Sequence, residues 1–134
     1  MERLAALAEY VIVEADGSAG RPVKAHAPHE PVVPALANQT VMVVGASGFG
    51  RPVSEAAHRP ERYARLAGVS PDEPVSPETE AAVLAAEGRH GRVYINQADT
   101  PERLSAARNL QKMLSCPVAV GALEQEGGHV LCWS

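Results

Sequence analysis

An apolar, β-branched run that ends in two carboxylates constrains the fold of this chain more than any other segment. The run Val11–Val13 is followed by Glu14 and Asp16, and a glycine-rich loop begins at Gly17. Such apolar runs are typical of parallel strands that are buried on both faces. Ligands of α/β proteins bind at the carboxyl edge of the parallel sheet. The sequence therefore predicts a strand over residues 9–15 that carries two acidic groups to a ligand-binding edge.

Strands and helices alternate along the rest of the chain. We predict further strands over residues 39–46, 92–96, 117–122 and 130–133, and helices over residues 60–67, 77–87 and 101–115. A helix end over residues 2–8, a long loop over residues 16–37 and a turn at Gly127–Gly128 complete the prediction. Helical crossovers between strands give a mainly parallel sheet with flanking helices, and the last short strand is free to pair antiparallel at an edge. With 134 residues, we expect a single α/β domain.

Composition excludes two classes of partner. The net charge of −4 is spread along the chain without basic blocks, which argues against a nucleic-acid surface. No apolar run approaches the roughly 18 residues that a membrane span needs. The start of the chain has no apolar signal segment, and Cys116 and Cys132 are isolated from each other. These features are typical of a cytoplasmic protein with two reduced thiols.

The acidic pair Glu14 and Asp16 predicts a metal-binding chemistry. Glu14 and Asp16 are two residues apart, so on a strand they face the same side. Mg²⁺ prefers hard oxygen ligands, and phosphate binds cations and backbone N–H groups such as those near Arg21 and Lys24. The pattern therefore predicts a metal site at Asp16 and Glu14. The alternative is that one carboxylate is solvated and the other caps the loop.

A second polar cluster, Asn96-Gln97-Ala98-Asp99, follows the predicted strand over residues 92–96 directly. An amide and a carboxylate three residues apart can hold the edge of a purine, as in the Asn-Lys-x-Asp motif of guanine-binding proteins. Gln97 stands here where that motif has lysine. The alternative is an ordinary junction in which Asp99 or Thr100 caps the next helix.

A glycine-rich turn and a histidine-rich loop are two further candidate motifs. The segment Gly45–Pro52 has glycines spaced as in a phosphate-binding loop, but Arg51 and Pro52 replace the required lysine and hydroxyl, so we interpret it as a structural turn. His26, His29 and Glu30 lie close together in the proline-rich loop, where they either bind a transition metal or hydrogen-bond the loop in place.

Together these motifs resemble a known family, the selenium-dependent hydroxylase accessory proteins labelled YqeC. The resemblance covers most of the chain in consistent order. The segments that carry it are Val-Glu-Ala-Asp-Gly-Ser-x-Gly-Arg-Pro-x-Lys over residues 13–24, His29-Glu30-Pro31, Val44-Gly45, Gly50-Arg51-Pro52, His58-Arg59-Pro60, Ser76-Pro77-Glu78 and residues 96–103.

The resemblance implies a partial P-loop NTPase-like domain of the Rossmann-like, three-layer kind. It further implies that Asp16, with Glu14 beside it, faces Mg²⁺, that Arg21 and Lys24 face phosphates or a partner, and that Asn96 and Asp99 face a purine base. The chain lacks the glycine-rich phosphate loop with which family members begin, so we expect it to be either a C-terminal portion of such a protein or a natural short form. We therefore expect Mg²⁺ and a purine nucleotide in the complete protein, and no nucleotide hydrolysis by this chain.

Three functions follow as alternatives. The first is an accessory protein for the maturation of selenium-dependent molybdenum hydroxylases, with a hydroxylase or one of its maturation proteins as partner. The second is a non-enzymatic interaction module that uses the proline-rich loop. The third is a metal- or selenium-carrying module built on His26, His29 and the cysteines. Because the strand of the phosphate loop is missing, we also expect an exposed sheet edge at Val11–Val13 through which the chain forms homo-oligomers.

Overall fold

The computed structural model describes residues 6–88, 91–124 and 129–133. The strands are β1 (Val23–Lys24), β2 (Val41–Gly45), β3 (Ala57–His58), β4 (Arg92–Asn96), β5 (Val118–Ala122) and β6 (His129–Trp133). The helices are α1 (Val53–Ala56), α2 (Pro60–Ala67), α3 (Pro77–Glu87) and α4 (Pro101–Met113), with a short 3₁₀ helix at Ala46–Gly48.

The main sheet has the strand order β2-β4-β5-β6. Strands β2, β4 and β5 are parallel, and β6 runs antiparallel to β5. A separate two-stranded parallel sheet pairs β1 with β3. The prediction of an α/β fold with a mainly parallel sheet and flanking helices is confirmed, and the arrangement fits the three-layer α/β class.

The helices begin and end where their capping residues predict. In α3, the side chain of Ser76 accepts a hydrogen bond from the backbone N–H of Thr79 in a capping box, and Gly88 ends the helix in the left-handed region at φ 58°. In α4, the Thr100 side chain accepts from Arg103 N. This last helix is two residues shorter than predicted, because Leu114 already adopts extended backbone and leads the chain into β5.

The core lies between the sheet and the helices and consists mostly of valine and alanine. Strand β5 is buried along its whole length, as expected for a strand inside a parallel sheet. Its apolar side chains join those of the neighbouring strands and helices, of which the largest fully buried ones are Tyr63, Ile95, Leu110, Val44, Val53, Val83, Val93, Val118 and Val120. The valine and alanine side chains each remove little area from water, so the core is thin for the length of the chain.

The predicted strand over residues 9–15 is wrong. Within the described residues this segment pairs with no strand, and Ile12 is 97% exposed and Tyr10 is 81% exposed. The segment makes no ladder with the outer edge of β2, and the chain is held instead at Asp16 and Pro22, so within the described residues its backbone groups and side chains are left to solvent. Residues 6–8 form a turn or irregular backbone rather than a helix end, and the long loop over residues 16–37 contains β1. The predicted turn at Gly127–Gly128 and residues 2–5 lie outside the described residues.

Of the helices in the described part of the chain, none has the length and apolar character needed to cross a membrane.

Candidate functional site

A cavity of about 1000 Å³ lies beside the outer edge of β2. Residues 8–18 form one wall, and residues 38–43 form the other. At the carboxyl ends of β2 and β4 it is closed by Gly45, Asn96 and Gln97. The cavity brings together five of the six residues predicted for the site, namely Glu14, Asp16, Arg21, Lys24 and Asn96, whereas Asp99 does not line it.

The closed end of the cavity depends on the absence of a side chain at Gly45. Its backbone N–H donates a 2.7 Å hydrogen bond to the carbonyl oxygen of Pro22. A Cβ atom at Gly45 would lie 2.6 Å from Oε1 of Gln97 and 2.8 Å from Cβ of Pro22, distances that real Cβ atoms do not adopt. Glycine therefore lets the loop before β1 close over the end of β2, which places Arg21 and Lys24 beside the sheet.

Asp16 is engaged by two neighbouring side chains. Its Oδ2 atom contacts Nζ of Lys24 and lies 3.1 Å from Nε2 of His26. Nζ of Lys24 also donates to the carbonyl oxygen of Gly17 at 2.7 Å and lies 3.0 Å from Oε2 of Glu30. The charges of Asp16 and Lys24 are therefore largely compensated by the protein itself.

His26 connects this end of the cavity to helix α3. Its backbone N–H donates to Oε1 of Glu87 at 2.6 Å, and its Nδ1 atom lies 2.6 Å from Oε2 of the same carboxylate. His26 is buried, and the Glu87 side chain is only 4% exposed. The imidazole thus bridges the carboxylates of Asp16 and Glu87, and the carbonyl oxygen of His26 accepts from Nε of Arg62.

Glu30 completes the polar cluster through a bidentate pair with Arg59. Both distances between the guanidinium nitrogens and the carboxylate oxygens are 2.8 Å. The hydrogen bonds from Arg59 and then Lys24 lower the pKa of Glu30 to about 2. These contacts form one ionic network, which consists of Asp16, Lys24, His26, Glu30, Arg59 and Glu87.

The contacts of the ionic network favour hydrogen bonding over metal binding as the role of His26 and Glu30 in the histidine-rich loop. His26 and Glu30 hydrogen-bond the loop to α3 and Arg59, as in the second alternative that the sequence left open. His29 is 79% exposed, and its Nε2 atom lies 3.9 Å from Glu30. In the described part of the chain there is no cluster of three His, Cys, Asp or Glu side chains that could hold a metal ion.

The remaining predicted residues have different surroundings. Arg21 donates from its guanidinium to the carbonyl oxygen of Glu55, and Glu14 is exposed at the wall of the cavity. Oδ1 of Asn96 accepts from the backbone N–H of Leu123 at 3.1 Å, which ties β4 to the loop after β5. Oδ1 of Asp99 lies 2.6 Å from Nη1 of Arg103, one turn along α4. The purine-facing role of Asn96 and Asp99 stays a prediction.

The sequence did not reveal a second buried acidic group, Glu80, which lies on the same face of α3 as Glu87. Glu80 is 1% exposed, and its Oε2 atom accepts a 2.7 Å hydrogen bond from the hydroxyl of Tyr63 on α2. Burial raises the pKa of Glu80 to about 7, and the nearby carboxylate of Glu87 adds to the rise. Glu80 and Glu87 are seven residues apart, so they lie on the same face of the helix, and this spacing was an available signal.

The comparisons with known proteins agree with the resemblance in the first half of the chain. Residues 1–61 match the family model described as YqeC protein. Over 65 residues the chain is 38% identical to the YqeC protein of Escherichia coli (strain K12). The matched region is 48% of this chain and 25% of that protein, so the chain spans only about a quarter of its relative. No solved structure matches the chain. The first half of this chain, which contains most of the ionic network, is therefore similar to YqeC proteins.

Proposed function

We propose that this chain is part of a YqeC-like accessory protein for the maturation of selenium-dependent molybdenum hydroxylases. In this proposal the chain supplies the acidic and base-facing parts of a nucleotide site related to those of P-loop NTPases, but it does not hydrolyse nucleotide by itself. The observation that carries the proposal is the cavity beside β2, one end of which lies at the carboxyl ends of β2 and β4. Of the predicted residues it gathers the carboxylates Glu14 and Asp16, the cations Arg21 and Lys24 and the amide Asn96, and α/β sheets bind ligands at this edge.

The glycine-rich turn after β2 supports the absence of hydrolysis. Phosphate-binding loops hold the β- and γ-phosphates with free backbone N–H groups and a lysine. Here three successive N–H groups donate to carbonyl oxygens within the protein: Phe49 to Ala46, Gly50 to Val75, and Arg51 to Gly48. The turn also has no lysine, and Pro52 has neither an N–H group nor a hydroxyl. It therefore cannot grip a triphosphate in this conformation.

The charged residues in the cavity can position a ligand but give little affinity. Mg²⁺ would have to displace Lys24 and His26 from Asp16, and a phosphate would have to draw Lys24 away from Asp16 and Glu30. Each exchange replaces an existing ion pair, so the net gain is small. We therefore expect nucleotide to bind to this chain with a dissociation constant of about 1 mM or weaker.

Calorimetric titration tests this expectation directly. GTP and ATP, each with Mg²⁺, are titrated into the chain, and phosphate release is measured in parallel. We expect weak or undetectable heats and no phosphate release, and the residual binding should disappear in Asp16→Asn but persist in Asp72→Asn, an exposed aspartate outside the cavity. Micromolar affinity or measurable hydrolysis would contradict the proposal.

The accessory role is tested in cells that make a selenium-dependent molybdenum hydroxylase. We expect deletion of the gene that encodes this chain to lower the selenium content and the activity of the purified hydroxylase, while the amount of hydroxylase protein stays unchanged. Reintroduction of the gene should restore both. An unchanged selenium content after deletion would rule out the maturation role.

A second candidate function is a non-enzymatic interaction module, and the proline-rich segment over residues 28–37 favours it. Its apolar side chains are exposed: Val32 by 69%, Leu36 by 53% and Val33 by 41%. Exposed apolar groups that lie close together often mark protein interaction sites. In a binding assay with purified hydroxylase, Leu36→Asp should abolish binding and Asp72→Asn should retain it, both without added nucleotide.

A further inference from the structure

Among the described residues no strand pairs with the outer edge of β2, and only its last residue, Gly45, has its N–H bonded on that side. β2 is the terminal strand of the main sheet, and Gly45 N donates outward to Pro22. Successive residues of a strand point their backbone groups to opposite sides, so Val43 and Val41 present N–H and C=O to the same outer edge as Gly45. Their side chains are 60% and 50% exposed. Exposed apolar edges of this kind readily accept another strand.

A segment that suits this edge lies across the cavity. Tyr10–Val13 is uncharged and rich in β-branched residues, and it pairs with no strand within the described residues. Ile12 is 97% exposed and Tyr10 is 81% exposed. Both this segment and Val41–Val43 line the same cavity. Both segments favour extended backbone. Within the described residues Tyr10–Val13 pairs with no strand, and Val41–Val43 pairs with β4 on one side only.

The ionic network explains how the segment is presented. Asp16 is held by Lys24 and His26, and Pro22 is hydrogen-bonded to Gly45. The chain is thus anchored from residue 16 onward, whereas residues 10–13 are held by no hydrogen bond to the rest of the described structure. The segment can move away from its own gap without breaking any contact of the ionic network.

We propose that Tyr10–Val13 of one copy of this chain pairs with the outer edge of β2 in a second copy, and that the exchange is reciprocal. Donor and acceptor are present once in each chain, so a two-fold dimer covers both exposed segments of both copies. Both segments are uncharged, so the net charge of −4 on each chain does not place like charges at the contact. Pairing through the backbone adds a fifth strand to each main sheet. The inference does not depend on nucleotide binding.

Light scattering coupled to size exclusion tests the proposal on the full chain. We expect a species of twice the 14.1 kDa chain mass at high protein concentration. Ile12→Lys and Val43→Lys should each give monomer, because a charge at either position opposes strand pairing. The control is Val32→Lys, since Val32 is 69% exposed but does not line the cavity, and this variant should remain dimeric. Ile12 has no packing to lose, so its variant keeps the test valid if Val43→Lys fails to fold.

A disulfide experiment distinguishes the exchange from other dimers. In a background with Cys116→Ser and Cys132→Ser, chains with Ile12→Cys are mixed with differently tagged chains with Val43→Cys. We expect a disulfide between the two tags, and none when Val32→Cys replaces Val43→Cys. A monomeric parent chain would overturn the proposal, because the outer edge of β2 would then not be paired by a second copy of the chain. A dimer that survives both lysine variants would overturn it as well.

Discussion

Glu30 and Glu80 have the same side chain and opposite electrostatic environments. Glu30 faces the guanidinium of Arg59 and the ammonium of Lys24, and its pKa falls to about 2. Glu80 lies between α2 and α3 with the hydroxyl of Tyr63 as its hydrogen-bond donor, and burial raises its pKa to about 7. The comparison shows that this fold keeps charge where cations compensate it and disfavours charge between the helices.

The two groups act on stability in opposite directions as pH changes. The pKa of Glu30 is below its ordinary value of 4.5, so its contribution is present above pH 4.5 and is lost as pH falls through about 2. The pKa of Glu80 is above 4.5, so its contribution is complete below pH 4.5 and is lost as pH rises through about 7. From these two groups alone, the free energy of unfolding is greatest near pH 4.5.

The largest expected effect comes from Glu80→Gln. The amide keeps an acceptor for Tyr63 but carries no charge that must be protonated or buried. We expect this variant to be more stable than the parent by about 3 kcal/mol near pH 8 and almost equal to it near pH 4. Denaturant unfolding at the two pH values measures the difference.

The matched control for Glu80→Gln is Glu78→Gln. Glu78 is an exposed residue in the first turn of the same helix, and its hydrogen bond with Ser76 lowers its pKa. Because this shift has the opposite sign, the control variant should gain no stability at alkaline pH. Equal stability of the parent and Glu80→Gln near pH 8 would show that Glu80 is ionised without penalty.

Glu30→Gln tests the other side of the comparison. The amide cannot neutralise Arg59 and Lys24, and both cations then lie close together without Glu30 between them. We expect a loss of about 2 kcal/mol near pH 7, less than for a fully buried pair because Glu30 is 17% exposed. The loss should shrink at acid pH, where the parent protonates Glu30 as well.

Unfolding curves of Glu30→Gln and of Glu61→Gln, an exposed acid in α2, provide the measurement and its control. The Glu61 variant should change stability by less than about 0.5 kcal/mol. If Glu30→Gln also stays within that range, Arg59 and Lys24 do not stabilise the ionised carboxylate in the folded chain, and the lowered pKa of Glu30 is wrong.

Tyr63→Phe tests the hydrogen bond that Tyr63 donates to the buried carboxylate of Glu80. The hydroxyl of Tyr63 is the hydrogen-bond donor that lowers the pKa of Glu80, so without it that pKa should rise further above 7. We expect a loss of about 1 kcal/mol, larger at alkaline pH, where the ionised carboxylate needs the donor most. Tyr94→Phe is the control, since the Tyr94 hydroxyl is a buried oxygen without a hydrogen-bond partner in the described structure. Its removal should not destabilise the chain.

How far the sequence predicts this molecule depends on whether the signals are local. The ends of α2 and α3 follow from Pro60, Ser76 and Gly88, each of which acts on its own turn. The parallel order of β2, β4 and β5 follows from the crossovers between them. The strand over residues 9–15 has equally strong local signals, yet it does not form, because a strand also needs a neighbour to pair with and this segment makes no ladder with any described strand.

The candidate site likewise has local features that the sequence predicts and long-range contacts that it does not. Part of its lining could be predicted from the sequence, since Asp16 and Lys24 do line one cavity with Asn96. What the sequence did not reveal is that Glu87, sixty-one residues from His26, closes the ionic network. Side chains that far apart in sequence meet only through the packing of α3 against the loop. No spacing rule covers such a pair, and the contact of Glu87 with His26 was therefore missed.

The smallest expected effect comes from His29→Ala, which tests whether a side chain that lies near Glu30 also contributes to stability. His29 is 79% exposed, and its Nε2 atom lies 3.9 Å from Oε1 of Glu30. An exposed pair at that distance contributes little, because solvent screens it and the free side chain loses conformational freedom in forming it. We expect His29→Ala to change the free energy of unfolding by less than about 0.5 kcal/mol. A loss as large as that of Glu30→Gln would mean that His29 is part of the ionic network, and the low pKa of Glu30 would then depend on three cations and not two.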